Sequence, residues 1–205
     1  MEQNKKILGY YNYTVVLTYI GMIMGFMGLL FVMSHKFQGA VICLMIAGLC
    51  DMFDGAVAAT RKRNEHEKKF GIQIDSLSDL ICFGILPSIF VAQIENSNYI
   101  SFAIAICYVL CALIRLAYFN VHEEERQKLE STVRKYYQGL PVTTIALFLP
   151  AVYILFKRRY AFTCLLFIMA ILFLSPIKIK KPEMLGKVMM AALGVLEFIV
   201  LIVRI

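Results

Sequence analysis

The sequence predicts an all-α fold, a polytopic transmembrane helix bundle, and three observations carry that expectation. Hydrophobic residues make up 60% of the 205-residue chain, whose mean hydropathy is +0.72, whereas soluble domains sit nearer half apolar. The apolar residues come in long blocks, not in short periodic runs. Several blocks reach the roughly 20 residues that a helix needs to cross a hydrocarbon core about 30 Å thick. A helix also satisfies its backbone hydrogen bonds within one segment, as exposure to lipid requires.

Seven spans are expected, near 13–33, 39–59, 71–93, 98–118, 140–156, 160–176 and 187–203. The fifth and sixth are short and separated only by Lys157, Arg158 and Arg159. Ahead of the first block the basic residues are Lys5 and Lys6, and no small-residue cleavage site follows it. That block therefore reads as a retained helix and not as a cleaved signal peptide.

Charge placement gives an orientation. With the N-terminus cytoplasmic, Lys5, Lys6 and the loops around 61–69, 126–135 and 178–187 hold 15 of the 21 basic residues on the inner side. Lys36, Lys157, Arg158, Arg159 and Arg204 fall outside, and Arg115 falls within a span. The excess of inner positive charge favours this orientation, with the cluster at 157–159 dissenting. It also accounts for the net charge of +7 without nucleic-acid binding. The six cysteines lie in apolar blocks with no C-x-x-C pair and no histidine at zinc-ligand spacing, so they read as small hydrophobes.

The informative residues are ionisable ones at membrane depth, because each is costly unless paired or functional. They are Asp51, Asp54, Asp75, Asp79, Arg115 and Glu197. Asp51 and Asp54 close the second span at spacing i, i+3, and Asp75 and Asp79 open the third at i, i+4. Either spacing sets two carboxylates on one helix face. A short charged turn joins the spans, so they are expected to pack as antiparallel neighbours. The four carboxylates then converge on one pocket at the cytoplasmic boundary.

Four anions share a low-dielectric pocket only when protonated or neutralised, and no lysine or arginine is expected between them on those faces. An all-carboxylate oxygen site suits hard ions such as Mg²⁺ or Mn²⁺. Two such ions are the usual means of phosphoryl displacement. Gly55, Ala56, Ala58, Ala59 and Gly71 line the same corner and let a helix or a nucleotide approach closely. The blander readings are solvated helix ends, or a cation pathway in a transporter. A transporter should show broken helices at the midplane and often paired repeats, and the chain shows no internal repeat. Glu197 stands alone in the last span and reads as a paired or helix-end position.

The run Asp51-Met-Phe-Asp54-Gly55-Ala-Val-Ala58, followed by Gly71-Ile-Gln-Ile-Asp75-Ser-Leu-Ser-Asp79, resembles the signature of the CDP-alcohol phosphotransferase family. That signature is D-x-x-D-G-x-x-A-R, then G-x-x-x-D-x-x-x-D. One position departs from it. Ala59 stands where the signature arginine belongs, and the nearest arginine is Arg61. Two residues turn a helix by about 200°, so Arg61 substitutes only if the span ends early; Lys62 or Arg63 can share the role. The continuation Asp75-Ser-Leu-Ser-Asp79-Leu-Ile-Cys-Phe83-Gly84-Ile-Leu-Pro87 is similar to the D-S-L-x-D-x-x-x-F-G-x-x-P run of the phosphatidylserine synthase branch. Arg115-Leu-Ala-Tyr-Phe119-Asn120 and Gly139-Leu-Pro141 are similar to that branch too, and Asn12 and Thr14 resemble the start of the family's first span.

The resemblance implies one membrane domain over 1–205: a six-helix catalytic core at about 12–180 and a further C-terminal helix at about 187–203. It implies a homodimer in the cell membrane with its site open to the cytoplasm and the adjacent leaflet. Asp51, Asp54, Asp75 and Asp79 would hold Mn²⁺ or Mg²⁺, two ions per site. Asp54, Gly55, Ala58, Arg61, Gly71 and Thr14 would bind a CDP-lipid, and Asp79 would be the general base. Serine would attack the lipid-bearing phosphorus and CMP would leave. For serine's carboxylate, Arg115 beside Asn120 would serve, against the alternative of a snorkelling or structural arginine. Glycerol phosphate and inositol phosphate are the competing acceptors.

Overall fold

Every apolar block becomes helix, and the helices carry the aspartates to one end. The computed structural model describes residues 9–95, 98–128, 136–156, 160–180 and 184–203. The basic residues Lys5, Lys6, Arg134, Lys135, Lys157, Arg158, Arg159, Lys181 and Arg204, which enter the orientation argument, lie outside the described residues. The elements are α1 (Val16–Met33), α2 (Phe37–Ala59), α3 (Glu65–Asp79), α4 (Leu86–Ile94), α5 (Tyr99–Lys128), β1 (Tyr136–Gln138), α6 (Ile145–Leu155), α7 (Ala161–Leu174), β2 (Lys178–Lys180) and α8 (Met184–Val203). Among the described residues, four continuous stretches are long and apolar enough to cross a bilayer: Tyr13–Met33, Phe37–Ala59, Glu65–Ile94 and Tyr99–Glu123. The apolar helices Val142–Leu155, Ala161–Leu174 and Val188–Val203 are shorter. The protein is an integral membrane protein with an all-α bundle.

Two differences from the expected spans have local causes. The third helix begins at Glu65, six residues before the apolar block, because Asn64 and Glu67 form a reciprocal cap. The Glu67 amide donates to Asn64 Oδ1 at 2.8 Å and the Asn64 amide donates to Glu67 Oε2 at 3.0 Å. The other difference is a two-stranded ribbon joining the loops before α6 and after α7, with Tyr136 opposite Lys180 and Gln138 opposite Lys178. Three-residue strands are too short to show as alternation in a sequence.

Between α3 and α4 the chain winds as a π-helix over Leu80–Ile85. Pro87 explains it. Proline has no amide hydrogen and its ring collides with the carbonyl four residues back, here that of Phe83. The freed Phe83 carbonyl accepts a hydrogen bond from the Tyr108 hydroxyl at 2.7 Å, and both side chains are buried. Ser88, next to the proline, donates to the Gly84 carbonyl at 2.9 Å and to that of Ala105 at 3.2 Å. The widened turn is thus fastened to α5 directly after Asp79.

Helix α1 is the spine of the aspartate end. Its buried residues are Thr18, Gly21, Gly25, Gly28 and Val32, a stripe of small side chains that brings neighbours close. A Cβ added at Gly25 would sit 2.4 Å from Cys82 Sγ. This stripe corrects one expectation. The backbones of α2 and α3 scarcely approach each other; each helix packs on α1, and α2 meets later elements chiefly at α6 and α8. The small residues of α1 draw both helices onto it, and the gap between α2 and α3 is where the carboxylates face.

At the opposite end, Glu95 closes α4 and caps α7. Its Oε1 accepts the Phe162 and Thr163 amides at 3.0 and 3.2 Å, and its Oε2 accepts the hydroxyls of Ser101 and Thr163. That buried carboxylate is fully used in holding helices together.

Candidate active site

The two aspartate pairs do converge. Asp51, Asp54 and Asp75 present carboxylate oxygens that all lie within 4.8 Å of one another. Asp51 also interacts with Asp79, and Asp54 with Asp75, so each contact links α2 to α3. Hydroxyls complete the shell. Thr143 Oγ1, in the turn Val142–Thr144 that opens α6, donates to Asp51 Oδ2 at 2.8 Å. Thr18 Oγ1 of α1 donates to Asp54 Oδ2 at 3.2 Å. The donor set is hard oxygen, negatively charged and partly preassembled, and it could hold a metal ion.

These residues form one end of a cavity of about 780 Å³ bounded by α2, α3, α5, α6 and α8. All four aspartates, Gly55 and Arg115 line it. A Cβ at Gly55 would meet nothing within 4 Å, so the surface there is open to a ligand. Arg115 is 6% exposed; its Nε donates to the Leu140 carbonyl at 3.3 Å and its guanidinium lies 5.6 Å from the Phe119 ring centre. Gly139 makes this possible. Its φ is +73°, and a Cβ there would fall 2.6 Å from the Phe173 carbonyl and 3.3 Å from Arg115 Nε. Among the described residues lining the cavity, Arg115 is the only basic one.

The other expected ligand residues stand outside the lining. Ala58 and Gly71 border the turn after α2 and the first half of α3. Buried Thr14 donates through its amide (3.0 Å) and its hydroxyl to Asn12 Oδ1, capping the turn before α1. Asn120 Oδ1 accepts the Ser76 hydroxyl at 2.7 Å and so ties α5 to the residue after Asp75. Arg61 pairs with Glu67 at 3.6 Å, with 41% of its side chain exposed. Arg63 lies over Gly71, whose Cβ would be 3.0 Å from its Nη1, and it too stands outside the lining.

Sequence reasoning missed Thr143 and the contribution of α8. Thr143 lies two residues past Gly139-Leu-Pro141, the run that resembles the phosphatidylserine synthase branch. Its signal is a hydroxyl at the head of an otherwise apolar block.

The sequence model of CDP-alcohol phosphatidyltransferase matches residues 11–196. The chain belongs to that family. Among curated relatives, CDP-diacylglycerol–serine O-phosphatidyltransferase of Saccharomyces cerevisiae is 35% identical over 147 residues, 66% of this chain and 52% of that protein. Archaetidylserine synthase of Methanothermobacter thermautotrophicus is 27% identical over 188 residues, 91% and 77% of the two chains. CDP-diacylglycerol–serine O-phosphatidyltransferase of Bacillus subtilis is 29% identical over 134 residues, 64% and 70%. The matched part thus spans about half the length of the yeast relative, at 52%, and about three quarters of the archaeal one, at 77%.

Proposed function

We propose that the protein transfers a phosphatidyl-type group from a CDP-activated lipid to the hydroxyl of L-serine and releases CMP. The observation that carries this is the cavity itself: four aspartates from two helices at its polar end, one buried arginine on its wall, and apolar side chains beyond. The relatives named for serine transfer agree with it.

In this reading Asp51, Asp54, Asp75 and Asp79 would hold Mn²⁺ or Mg²⁺, two ions per site. When bound, such ions supply the positive charge that lets the carboxylates coexist and that offsets charge on the diphosphate. Thr143 and Thr18 fix the rotamers of Asp51 and Asp54. Gly55 leaves room for the nucleotide, and Arg63 offers a cation where the signature arginine is lacking. Arg115 receives the serine carboxylate. The serine oxygen forms a bond to the lipid-bearing phosphorus as that phosphorus parts from the oxygen bridging to CMP, and Asp79 takes the hydroxyl proton. Most of the catalytic effect is positioning and electrostatics.

The relatives named for serine transfer support serine over glycerol phosphate or inositol phosphate, and among the described residues of the lining Arg115 is the cation that can meet its carboxylate. The protein works as a homodimer with this end toward the cytoplasm. The test is CMP release and product mass in detergent with Mn²⁺ and CDP-dioleoylglycerol, with serine, glycerol 3-phosphate and inositol 1-phosphate as rival acceptors. A serine adduct is expected; CMP release only with a phosphorylated acceptor would refute the assignment.

A further inference from the structure

The cavity does not end at the aspartates. Along α2 its lining runs from Ala56 back to Met45, about 16 Å at 1.5 Å per residue. Half of a hydrocarbon core is about 15 Å, so the cavity follows α2 from the polar boundary to about the bilayer midplane. Beyond the carboxylates its wall is apolar on α2, with Met45, Ile46 and Leu49.

The facing wall is α8, the helix beyond the six-helix core. Met190, Ala191, Gly194, Val195 and Phe198 all line the cavity, at spacings that form one helix face. Helix α8 is seated on α2 and α6. Gln38 Nε2 at the start of α2 donates to the Leu201 carbonyl at 2.5 Å, and Gly194 faces Leu147 of α6. Leu49 and Val195, which line the cavity on α2 and α8, are 39% and 51% exposed.

We infer that α8 forms the wall against which a hydrocarbon chain of the CDP-lipid lies, and that Ala191 and Gly194 set the width of that slot. The inference rests on the proposed use of a CDP-lipid. The occupant follows from continuity: a molecule whose diphosphate sits at the aspartates and whose chains dissolve in the bilayer has this apolar slot directly beneath its headgroup. A Cβ at Gly194 would be 3.6 Å from Leu147 Cδ2, so a larger side chain there turns into the slot without displacing backbone.

The test uses the full-length protein in detergent with Mn²⁺, wild type and Gly194→Leu, and measures Kd for CDP-dihexanoylglycerol and CDP-dioleoylglycerol beside transfer to serine. Gly194→Leu should weaken the long-chain ligand relative to the short-chain one by roughly tenfold or more, since a methylene misfit in an apolar pocket is worth that much. Ala191→Leu, one turn away, should act in the same direction and serves if the first variant does not fold. Leu196→Phe adds bulk on the 58% exposed face of α8 and should leave the ratio unchanged. Equal weakening of both ligands, or an unmoved ratio, overturns the inference even where transfer to serine is intact. Chain-dependent binding without transfer to serine would instead uphold the wall and sink the proposed reaction.

Discussion

Thr143 Oγ1 donates to Asp51 Oδ2 at 2.8 Å, joining two residues 92 positions apart. The bond links the entry of α6 to the end of α2 and occupies one lone pair of a carboxylate that otherwise faces other carboxylates. A hydroxyl in that place fixes which oxygen of Asp51 points into the site, much as outer partners orient metal ligands.

Thr143→Val keeps the shape and removes the donor. The Mn²⁺ concentration for half-maximal CMP release should rise roughly 10–100-fold, with Thr143→Ser restoring most of it. An unchanged Mn²⁺ titration would show that Thr143 only packs.

Removal of divalent metal should abolish turnover. At an effective dielectric of about 20, two carboxylate charges near 4.8 Å repel by roughly 3–4 kcal/mol, and three such pairs act at once. Chelator should stop CMP release, Mn²⁺ or Mg²⁺ should restore it, and Mn²⁺ alone should raise the thermal-unfolding midpoint. Full turnover in excess chelator would be incompatible with a metal-held diphosphate.

The bundle and its four aspartates were legible in the sequence because the bilayer makes both conspicuous: apolar blocks must be helices, and carboxylates such as Asp51 or Asp79 at that depth must earn their place. What was not legible depends on packing. Thr143 and Arg63 are placed by turns whose direction no periodicity encodes. The parting of α2 from α3 comes from the small residues of α1, whose stripe was read only as part of an apolar block. The cavity-facing side of α8 looks, in sequence, like any lipid-facing helix, and only its position against α2 gives it a role.

Tyr108 and Pro87 make a matched pair around the Phe83 carbonyl. Tyr108→Phe leaves that buried acceptor without its donor, at a cost of about 1–3 kcal/mol, and should lower the unfolding midpoint in detergent. Adding Pro87→Ala restores an amide to the same turn. The double variant should regain part of the loss; if it is no more stable than the single one, the account of the π-turn fails.

The two arginines of the α2–α3 turn should behave differently. Arg61, 41% exposed and paired with Glu67, is a surface ion pair of small worth, so Arg61→Ala should leave the KM for CDP-lipid almost unchanged. Arg63 stands over Gly71, one turn before Asp75 on α3. Arg63→Ala should raise that KM roughly ten- to a hundredfold, the loss of about 1.5–3 kcal/mol from a charged hydrogen bond. The reverse order would return the signature arginine's role to Arg61.

Asp54 and Asp79 have different tasks in the proposed reaction, and one substitution at each separates them. Asp54 lies among the three carboxylates whose oxygens gather within 4.8 Å, with Thr18 donating to it. Asp79 stands outside that trio and touches Asp51 from the last turn of α3. A serine hydroxyl is far too weak an acid for a carboxylate to deprotonate in advance. The proton must therefore pass to Asp79 as the bond to phosphorus forms. Asp79→Asn keeps the size and one oxygen but removes the basic site. It should lower kcat by roughly 10²–10⁴-fold, the range for a lost general base, while CDP-lipid affinity falls much less. Asp54→Asn takes a charge from the group that holds the diphosphate's counter-ions, so binding and turnover should fall together. CDP-lipid Kd and CMP release, measured for both variants at saturating Mn²⁺, decide between the roles. Near-normal turnover in Asp79→Asn, or a loss of CDP-lipid binding as deep as that of Asp54→Asn, would remove Asp79 as the base and leave it a fourth ligand.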